Sequence, residues 1–177
     1  MSEPELAARI QRLEDIHALQ RLRAWYHRYI DDAEFGRLGE LFAEDAELDL
    51  GYMSGAANHG RAAIHASFSQ LGERLRQVKQ FIHSHIIESV EGDTATGWAI
   101  LEARYGGLDG VAYNVAGRYD DEYVRVDGQW LFKTMRAVFY FSTPHLSDGW
   151  AGPDRHQLMR RPGMAQPPPA TSPNPPV

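Results

Sequence analysis

The stretch "GRYDDEYVRVDGQWLFKTMRAVFYF", residues 117–141, decides the fold of this chain. Apolar and polar side chains alternate along both of its halves, and the pair Asp127-Gly128 separates them. Alternation with a period of two is typical of a strand, and an Asp-Gly pair is the turn that closes a tight hairpin. The stretch therefore predicts two antiparallel strands joined by a hairpin.

Working outward, three further features extend this hairpin into a meander. The runs "FIHSHIIESV" (81–90) and "TATGWAILEARY" (94–105) are also strand-like, and the strand before the hairpin begins near Val111. The turns between these runs carry Glu91-Gly92-Asp93 and Gly106-Gly107, which are residues that tight turns require. We therefore expect four consecutive antiparallel strands.

The first half of the chain has a helical period instead. Apolar residues recur at spacings of three and four between Leu6 and Tyr29, with charged residues on the other side. A short helix is expected at residues 35–42, a short strand in "AELDLG" (46–51) and a third helix in "HGRAAIHASFSQLGERLRQ" (59–77). Helices followed by a long meander predict an α+β fold, with the helices packed on one face of the sheet.

Composition limits the function classes. The 177 residues suit one domain over residues 1–150, followed by an extension, 151–177, whose proline-rich end predicts disorder. The net charge of −6 and the lack of a basic patch argue against nucleic acid as a partner. The absence of cysteine excludes a thiol nucleophile and a thiolate metal site. Without a signal peptide or a long apolar run, we expect a cytoplasmic protein that does not enter membranes.

Several motifs together resemble a known superfamily. They are a "Y-x-x-x-x-D" pattern on the first helix, "LFAEDAE" just after it, "HSHIIESVEGDTATG", and the hairpin quoted above. Over about residues 8–146 the chain resembles the SnoaL-like branch of the nuclear transport factor two-like superfamily. Within that branch it is most similar to the dehydratase-type lyases, namely scytalone dehydratases, bile-acid dehydratases and hexachlorocyclohexane dehydrochlorinases. The resemblance implies a cone-shaped α+β barrel that encloses one deep pocket.

The resemblance also implies cofactor-independent chemistry on a small hydrophobic cyclic substrate. In these lyases an Asp on the first helix pairs with a His on a strand, and the His removes a proton from carbon. The matching Asp is Asp31, and His83 is the preferred His. Tyr26, five residues before Asp31, would hydrogen-bond the substrate oxygen. A histidine titrates near neutral pH and suits the role of base, while a carboxylate would orient it.

Other residues are expected to bind the substrate. His85 lies two residues after His83, so that on a regular strand the two would share a face. Tyr52 follows the first strand, and the resemblance suggests Arg136 on the last strand. Either Tyr113 or Asn114 faces the pocket, which makes Asn114 a further candidate. Glu102 is expected to face outward and pair either with Arg104 or with a partner subunit. No residue set has convincing metal-ligand spacing, so we expect no metal site.

Three functions remain open at this point. The first is a lyase of the dehydratase or dehydrochlorinase type that works through an Asp31–His83 base. The second is an isomerase of the ketosteroid type, in which a carboxylate is the base and a phenol stabilises the oxyanion. The third is a non-catalytic ligand-binding module, because a fold does not determine a function. The relatives also suggest a homo-oligomer, either a trimer, which we favour, or a dimer.

Overall fold

The computed structural model describes residues 1–51, 55–108 and 110–145. The predicted extension at 151–177 and Tyr52 lie outside these residues. Three helical segments are present: α1, Glu3–Asp31; a 3-10 helix, Phe35–Leu41; and α2, Arg61–Arg74. Helix α1 begins with a capping box, in which Ser2 and Glu5 each bond the backbone N–H of the other. Of the helices described, none is long and apolar enough to span a membrane.

Six strands form one sheet. They are β1, Phe42–Asp49; β2, Asn58–His59; β3, Leu75–Glu91; β4, Thr94–Gly107; β5, Ala112–Val126; and β6, Gln129–Pro144. Their order is β2-β1-β6-β5-β4-β3, and only β1 and β6 pair in parallel. The helices pack on one face of this curved, unclosed sheet, which we call the inner face. The predicted α+β class and the four-stranded meander are therefore confirmed.

Two boundaries differ from the prediction. Strand β3 begins at Leu75, where the sequence pattern continued α2 to residue 77, and β1 begins at Phe42, within the predicted short helix. The start of α1 also differs in its packing. Leu6, Ile10 and Leu13 have the spacing of an apolar face but are 45–66% exposed. A 29-residue helix is about 44 Å long, so its first turns extend past the sheet.

Irregularities in strand pairing bend the sheet. The register of β3 against β4 shifts between Ile82 and His85, and that of β5 against β6 shifts between Ala116 and Gly117. A β-bulge inserts an extra residue into one strand and increases the local twist. These bulges shape the inner face, and the first of them decides which side chains of β3 reach it.

Candidate functional site

A cavity of about 50 Å³ lies between the helices and the inner face of the sheet. Most of its wall is aliphatic or aromatic, and its polar atoms come from three tyrosines and one glutamine. The lining side chains are Tyr26, Ile30, Phe35, Leu50, Phe68, Leu71, Leu75, Val78, Gln80, Leu101, Ala103, Tyr105, Val115, Tyr119 and Phe139. An apolar wall with a few converging polar groups is typical of a small-molecule site.

The polar groups meet at one end in what we call the phenol–amide cluster, Tyr26, His27, Gln80 and Tyr119. Nδ1 of His27 lies 2.5 Å from Oε1 of Gln80. The ring of Tyr119 packs against those of Tyr26 and His27, with centroid distances of 5.9 and 6.1 Å. Helix α1 supplies two members, and strands β3 and β5 supply one each. The cluster therefore ties the helix to the sheet at the cavity.

Burial keeps the members of this cluster uncharged. It raises the pKa of the Tyr26 phenol well above its usual value, and Tyr119 reinforces this effect. It also raises the pKa of Tyr119, although the nearby Arg23 guanidinium opposes the change. The pKa of His27 is lowered well below its usual value by burial and by the charge of Arg23. At neutral pH the cavity thus presents neutral hydrogen-bonding groups.

Asp31 lies beside this cluster, at the end of α1. Its Oδ1 accepts a hydrogen bond of 2.9 Å from the backbone N–H of Gln80, and its backbone carbonyl accepts one of 2.5 Å from Nζ of Lys79. Two of its neighbours, Ile30 in the helix and Gln80 on the strand, line the cavity. Asp31 itself is half-buried and lies next to the wall of the cavity.

The structure separates the two histidines of "FIHSHI". Ile82 pairs with Leu101 and His85 pairs with Ala99, and the register shifts between them, so His83 and His85 point to opposite faces of β3. The expectation that they share a face is therefore wrong, because it assumed a strand without a bulge. His83 therefore has different neighbours from those that the sequence predicted.

His83 lies on the outer face of the sheet. Its Nε2 is 3.1 Å from Oε2 of Glu102, whose other oxygen contacts Arg104 at 3.4 Å. The expected pairing of Glu102 with Arg104 is thus confirmed. Within the described residues, no hydrogen bond or ion pair joins His83 to Asp31, and His83 does not line the cavity. The structure therefore does not bring the predicted base and its carboxylate together.

His85 faces inward and joins a second buried group. Its Nε2 is 3.1 Å from the hydroxyl of Tyr123, which donates to Oδ2 of Asp121 at 2.9 Å. Asp121 in turn forms a buried ion pair with Arg23. Burial, and then the charge of Arg23, lowers the pKa of His85 to about 4. His85 is therefore a neutral part of the scaffold behind the cavity and does not line it.

The remaining candidates lie elsewhere. Asn114 bonds His145 at 3.0 Å on the outer face, while its neighbour Tyr113 is buried, so Tyr113 is the residue of the pair that faces inward. The side chain of Arg136 is 66% exposed and lies 3.7 Å from Asp49. Neither Asn114 nor Arg136 lines the cavity, because both occupy outward positions of their strands.

Sequence reasoning missed three residues of the cluster: His27, Gln80 and Tyr119. A signal for His27 was present, since it lies one helical turn before Asp31 and next to Tyr26. Gln80 precedes the predicted strand by one residue and carried no signal. Over the parts of the chain that the structure describes, no group of three His, Asp or Glu side chains lies close enough to hold a metal ion.

Solved structures with the same fold include three instructive examples. A candidate scytalone dehydratase from Novosphingobium aromaticivorans is 23% identical with a TM-score of 0.69, covering 77% of this chain and 91% of that chain. A candidate aromatic ring hydroxylase from the same organism is 26% identical, with a TM-score of 0.69 and coverage of 76% and 95%. A type 2 hexachlorocyclohexane dehydrochlorinase is 21% identical, with a TM-score of 0.71 and coverage of 88% and 99%.

Sequence comparison gives the family directly. No curated protein sequence matches this chain. The model of the SnoaL-like domain matches residues 11–136. These residues include most of α1, the 3-10 helix, α2, the strands up to the middle of β6, and the whole phenol–amide cluster. The chain therefore belongs to the SnoaL-like domain family.

Proposed function

We propose that the cavity binds a small hydrophobic cyclic compound that carries a carbonyl oxygen, and that the protein is a cofactor-independent lyase acting on it. One observation carries the proposal: the mostly apolar wall of the cavity includes the phenols of Tyr26 and Tyr119 and the amide of Gln80, which are neutral hydrogen-bonding groups. The fold shared with a candidate scytalone dehydratase and a dehydrochlorinase is consistent with this class of reaction.

The proposed reaction begins with removal of a proton from the carbon next to the carbonyl. Electrons of the broken C–H bond move onto the carbonyl oxygen, where a phenol O–H stabilises the negative charge. They then return to form a carbon–carbon double bond as hydroxide or halide leaves the next carbon. The base returns its proton to the departing hydroxide, which leaves as water, or keeps it when halide leaves.

Asp31 is the base in this proposal, and Tyr26 and Tyr119 are the phenols. The sequence favoured His83 as the base with Asp31 as its partner, but His83 contacts Glu102 on the outer face of the sheet. Asp31 instead lies against Gln80, whose backbone N–H holds one of its oxygens. A carboxylate next to the wall of an apolar cavity is a suitable general base for such a proton.

The cavity is small for a site that binds a ring-sized substrate. Ligand sites usually enclose about 300–1,000 Å³, whereas this cavity encloses about 50 Å³. A ring-sized substrate must therefore displace side chains. The partly buried hydrophobic members of the wall are Phe35, Leu71, Leu75 and Phe139, and we expect them to move when a ligand binds.

Two other functions share this site. An isomerase would use the same first step and then return the proton to another carbon; the combination of a carboxylate with phenols, and no histidine in the cavity wall, favours it. A non-catalytic binding module would need only the cavity, and the lack of an ionisable carboxylate or histidine among the lining residues favours that reading.

Turnover of cyclic ketones with a hydroxyl or halogen at the β carbon tests these functions. Product and leaving group are followed by mass spectrometry. We expect Asp31→Asn to lower kcat by about 10²-fold or more and His83→Gln, the outer-face control, to leave it unchanged. Loss of activity in His83→Gln with activity kept in Asp31→Asn would overturn the assignment of the base. Double-bond migration without a leaving group indicates the isomerase, and saturable binding without turnover indicates the binding module.

Assembly is a separate part of the proposal. The outer face exposes Phe81 and Ile86 on β3, which are 47% and 46% exposed. We propose that this side of the sheet contacts other copies of the chain in a homotrimer, with a homodimer as the alternative. Light scattering coupled to size-exclusion chromatography measures the mass, and Phe81→Lys with Ile86→Lys is expected to give the monomer.

A further inference from the structure

Gly72 lies inside helix α2, close to its end at Arg74. A glycine in the interior of a helix lowers stability relative to alanine, because it has more backbone freedom to lose on folding. A packing contact explains its presence here. A Cβ atom on Gly72 would lie 2.6 Å from Cδ2 of Phe35 and 3.0 Å from Cγ of the same ring. The absence of a side chain at Gly72 therefore leaves the space in which the Phe35 ring rests.

Phe35 belongs to the part of the cavity wall that lies nearest to solvent. It is one of four hydrophobic wall residues that are only partly buried, together with Leu71, Leu75 and Phe139. Leu71 directly precedes Gly72, and Leu75 follows the end of the same helix. The wall between the cavity and solvent is therefore thinnest where the Phe35 ring rests on Gly72.

Of these four side chains, that of Phe35 is attached to the least regular backbone. Phe35 is the first residue of the 3-10 helix, and Ala33 just before it has a left-handed φ of 59°. The other three lie in α2 or in paired strands. The rest of the 3-10 helix is fixed, since Leu38 is fully buried and a Cβ on Gly39 would lie 3.1 Å from Cβ of His65 in α2. Rotation of the Phe35 side chain is therefore the simplest way to open the wall.

We propose that Phe35 is the gate of the cavity, meaning the side chain whose rotation opens the wall, and that Gly72 sets its closed position. This inference rests on the proposed function in that the cavity is a ligand site. With the ring on Gly72 the cavity encloses about 50 Å³, whereas a benzene ring needs about 150 Å³. Rotation of Phe35 toward solvent removes one ring from the wall and leaves room for a ring of similar size.

The pair also defines the size of the ligand. The cavity together with the space of one phenyl group matches a single six-membered ring, such as cyclohexanone. Two fused rings would require a second wall side chain, Leu71 or Leu75, to move as well. Because exposing another hydrophobic side chain opposes binding, we expect a two-ring ketone to bind about tenfold more weakly than a one-ring ketone, or weaker still.

The first experiment uses benzene, which has no carbonyl and so tests the gate without the proposed function. NMR titration measures the dissociation constants. In Gly72→Ala the new Cβ takes the place of the Phe35 ring, which the small cavity cannot hold, so the ring turns toward solvent. Because the gate is then open before binding, we expect benzene to bind about tenfold more tightly than in wild type. The control is Gly36→Ala, which has open space around the new Cβ and is expected to bind as wild type does.

A double variant shows whether the effect passes through Phe35. Phe35→Ala removes the gate and is expected to bind benzene at least as tightly as Gly72→Ala does. Adding Gly72→Ala to Phe35→Ala is expected to change the affinity little, because no ring remains to be displaced. A full effect of Gly72→Ala in the absence of the Phe35 ring would overturn the inference. So would a benzene affinity that Phe35→Ala leaves at the wild-type value, a result that holds even where Gly72→Ala does not fold.

The second experiment compares cyclohexanone with 2-decalone, its two-ring counterpart, on the wild-type protein. We expect cyclohexanone to bind and 2-decalone to bind about tenfold more weakly or not at all. If benzene responds to the variants as expected and neither ketone binds, the gate is supported and the proposed carbonyl site fails. If both ketones bind wild type equally well, the carbonyl site is supported and the gate fails.

Discussion

Arg23 on α1 and Asp121 on β5 form an ion pair in which both side chains are almost completely buried. The guanidinium group also lies over the rings of Tyr26, Tyr119 and Phe132, with its carbon 4.5–5.1 Å from their centroids. The pair therefore stands directly behind the cavity and joins the helix to the middle of the sheet. Because neither side chain reaches water, each charge needs the other to offset the cost of its burial.

The first prediction concerns this pair. Replacing Asp121 with alanine leaves a buried guanidinium without its counter-ion, and we expect the free energy of unfolding to fall by about 3–5 kcal/mol. Arg23→Met combined with Asp121→Leu removes both charges and is expected to recover most of that loss. Urea denaturation of the three proteins measures the effect. Equal destabilisation by the single and double variants would show that the ion pair is not the cause.

The second prediction concerns the stability of the protein at acidic pH. The pKa of His85 is lowered from 6.5 to about 4 in the folded protein, and that of His27 changes in the same direction. Between pH 6.5 and pH 4 the unfolded chain binds more protons than the folded chain. The free energy of unfolding therefore falls as pH decreases through this range. The limit is about 1.4 kcal/mol per pH unit for each group, and partial exposure reduces the contribution of His85 to about 1–2 kcal/mol.

Denaturation curves recorded from pH 7 to pH 4 measure this dependence. We expect His85→Gln to have a shallower decline in stability than wild type, and Ser84→Ala, a change in the same bulge without a titrating group, to decline as wild type does. Parallel curves for wild type and His85→Gln would contradict the assignment.

The third prediction concerns the curvature of the sheet. A Cβ atom on Gly117 would lie 2.6 Å from the carbonyl oxygen of Val138, at the bulge between β5 and β6. Gly117→Ala must therefore push the strands apart, and we expect a loss of about 1–3 kcal/mol. The matched control is Gly36→Ala, where the nearest atom is 4.0 Å from the new Cβ. Thermal unfolding of both variants tests the expectation, which a neutral Gly117→Ala would contradict.

The fourth prediction concerns Asp15, which anchors α1 to the final hairpin. Its Oδ1 accepts hydrogen bonds from Nε1 of Trp130 at 3.0 Å and from Nη1 of Arg125 at 2.6 Å. Asp15→Ala leaves the buried indole N–H unpaired, so we expect a loss of about 1–3 kcal/mol. Asp93→Asn, at the exposed second partner of Arg125, is the control and is expected to change stability little. Chemical denaturation followed by tryptophan fluorescence measures both, and equal effects would refute the anchoring role of Asp15.

The meander was predictable because its signals are local. Asp127-Gly128 and Glu91-Gly92-Asp93 sit at the turns that the structure contains, and burial along most of β5 alternates with the period of two that predicted a strand. The helical period of α1 predicted its extent, although not that its first turns are exposed. The tendency of a segment to form a helix depends on its own residues and their neighbours. The exposure of the first turns of α1 depends instead on how far the sheet extends beside the helix.

The candidate site was predictable only in part. Tyr26 lines the cavity and Asp31 lies beside it, as their spacing on one helix suggested. The sequence could not show whether His83 or His85 faces inward. The bulge after Ile82 reverses the face of the residues that follow, and a single sequence does not show where a register shifts.

The sequence by itself determined the class of the fold, the family and the residue types available for chemistry, because periodicity, turn residues and motif spacing are properties of short segments. Tertiary structure alone decided which of those residues meet. Gln80, His27 and Tyr119 come from three separate elements, and their contact depends on strand register and on how α1 packs against the sheet. Contacts between distant segments are set by the packing of the whole chain, which no local pattern encodes.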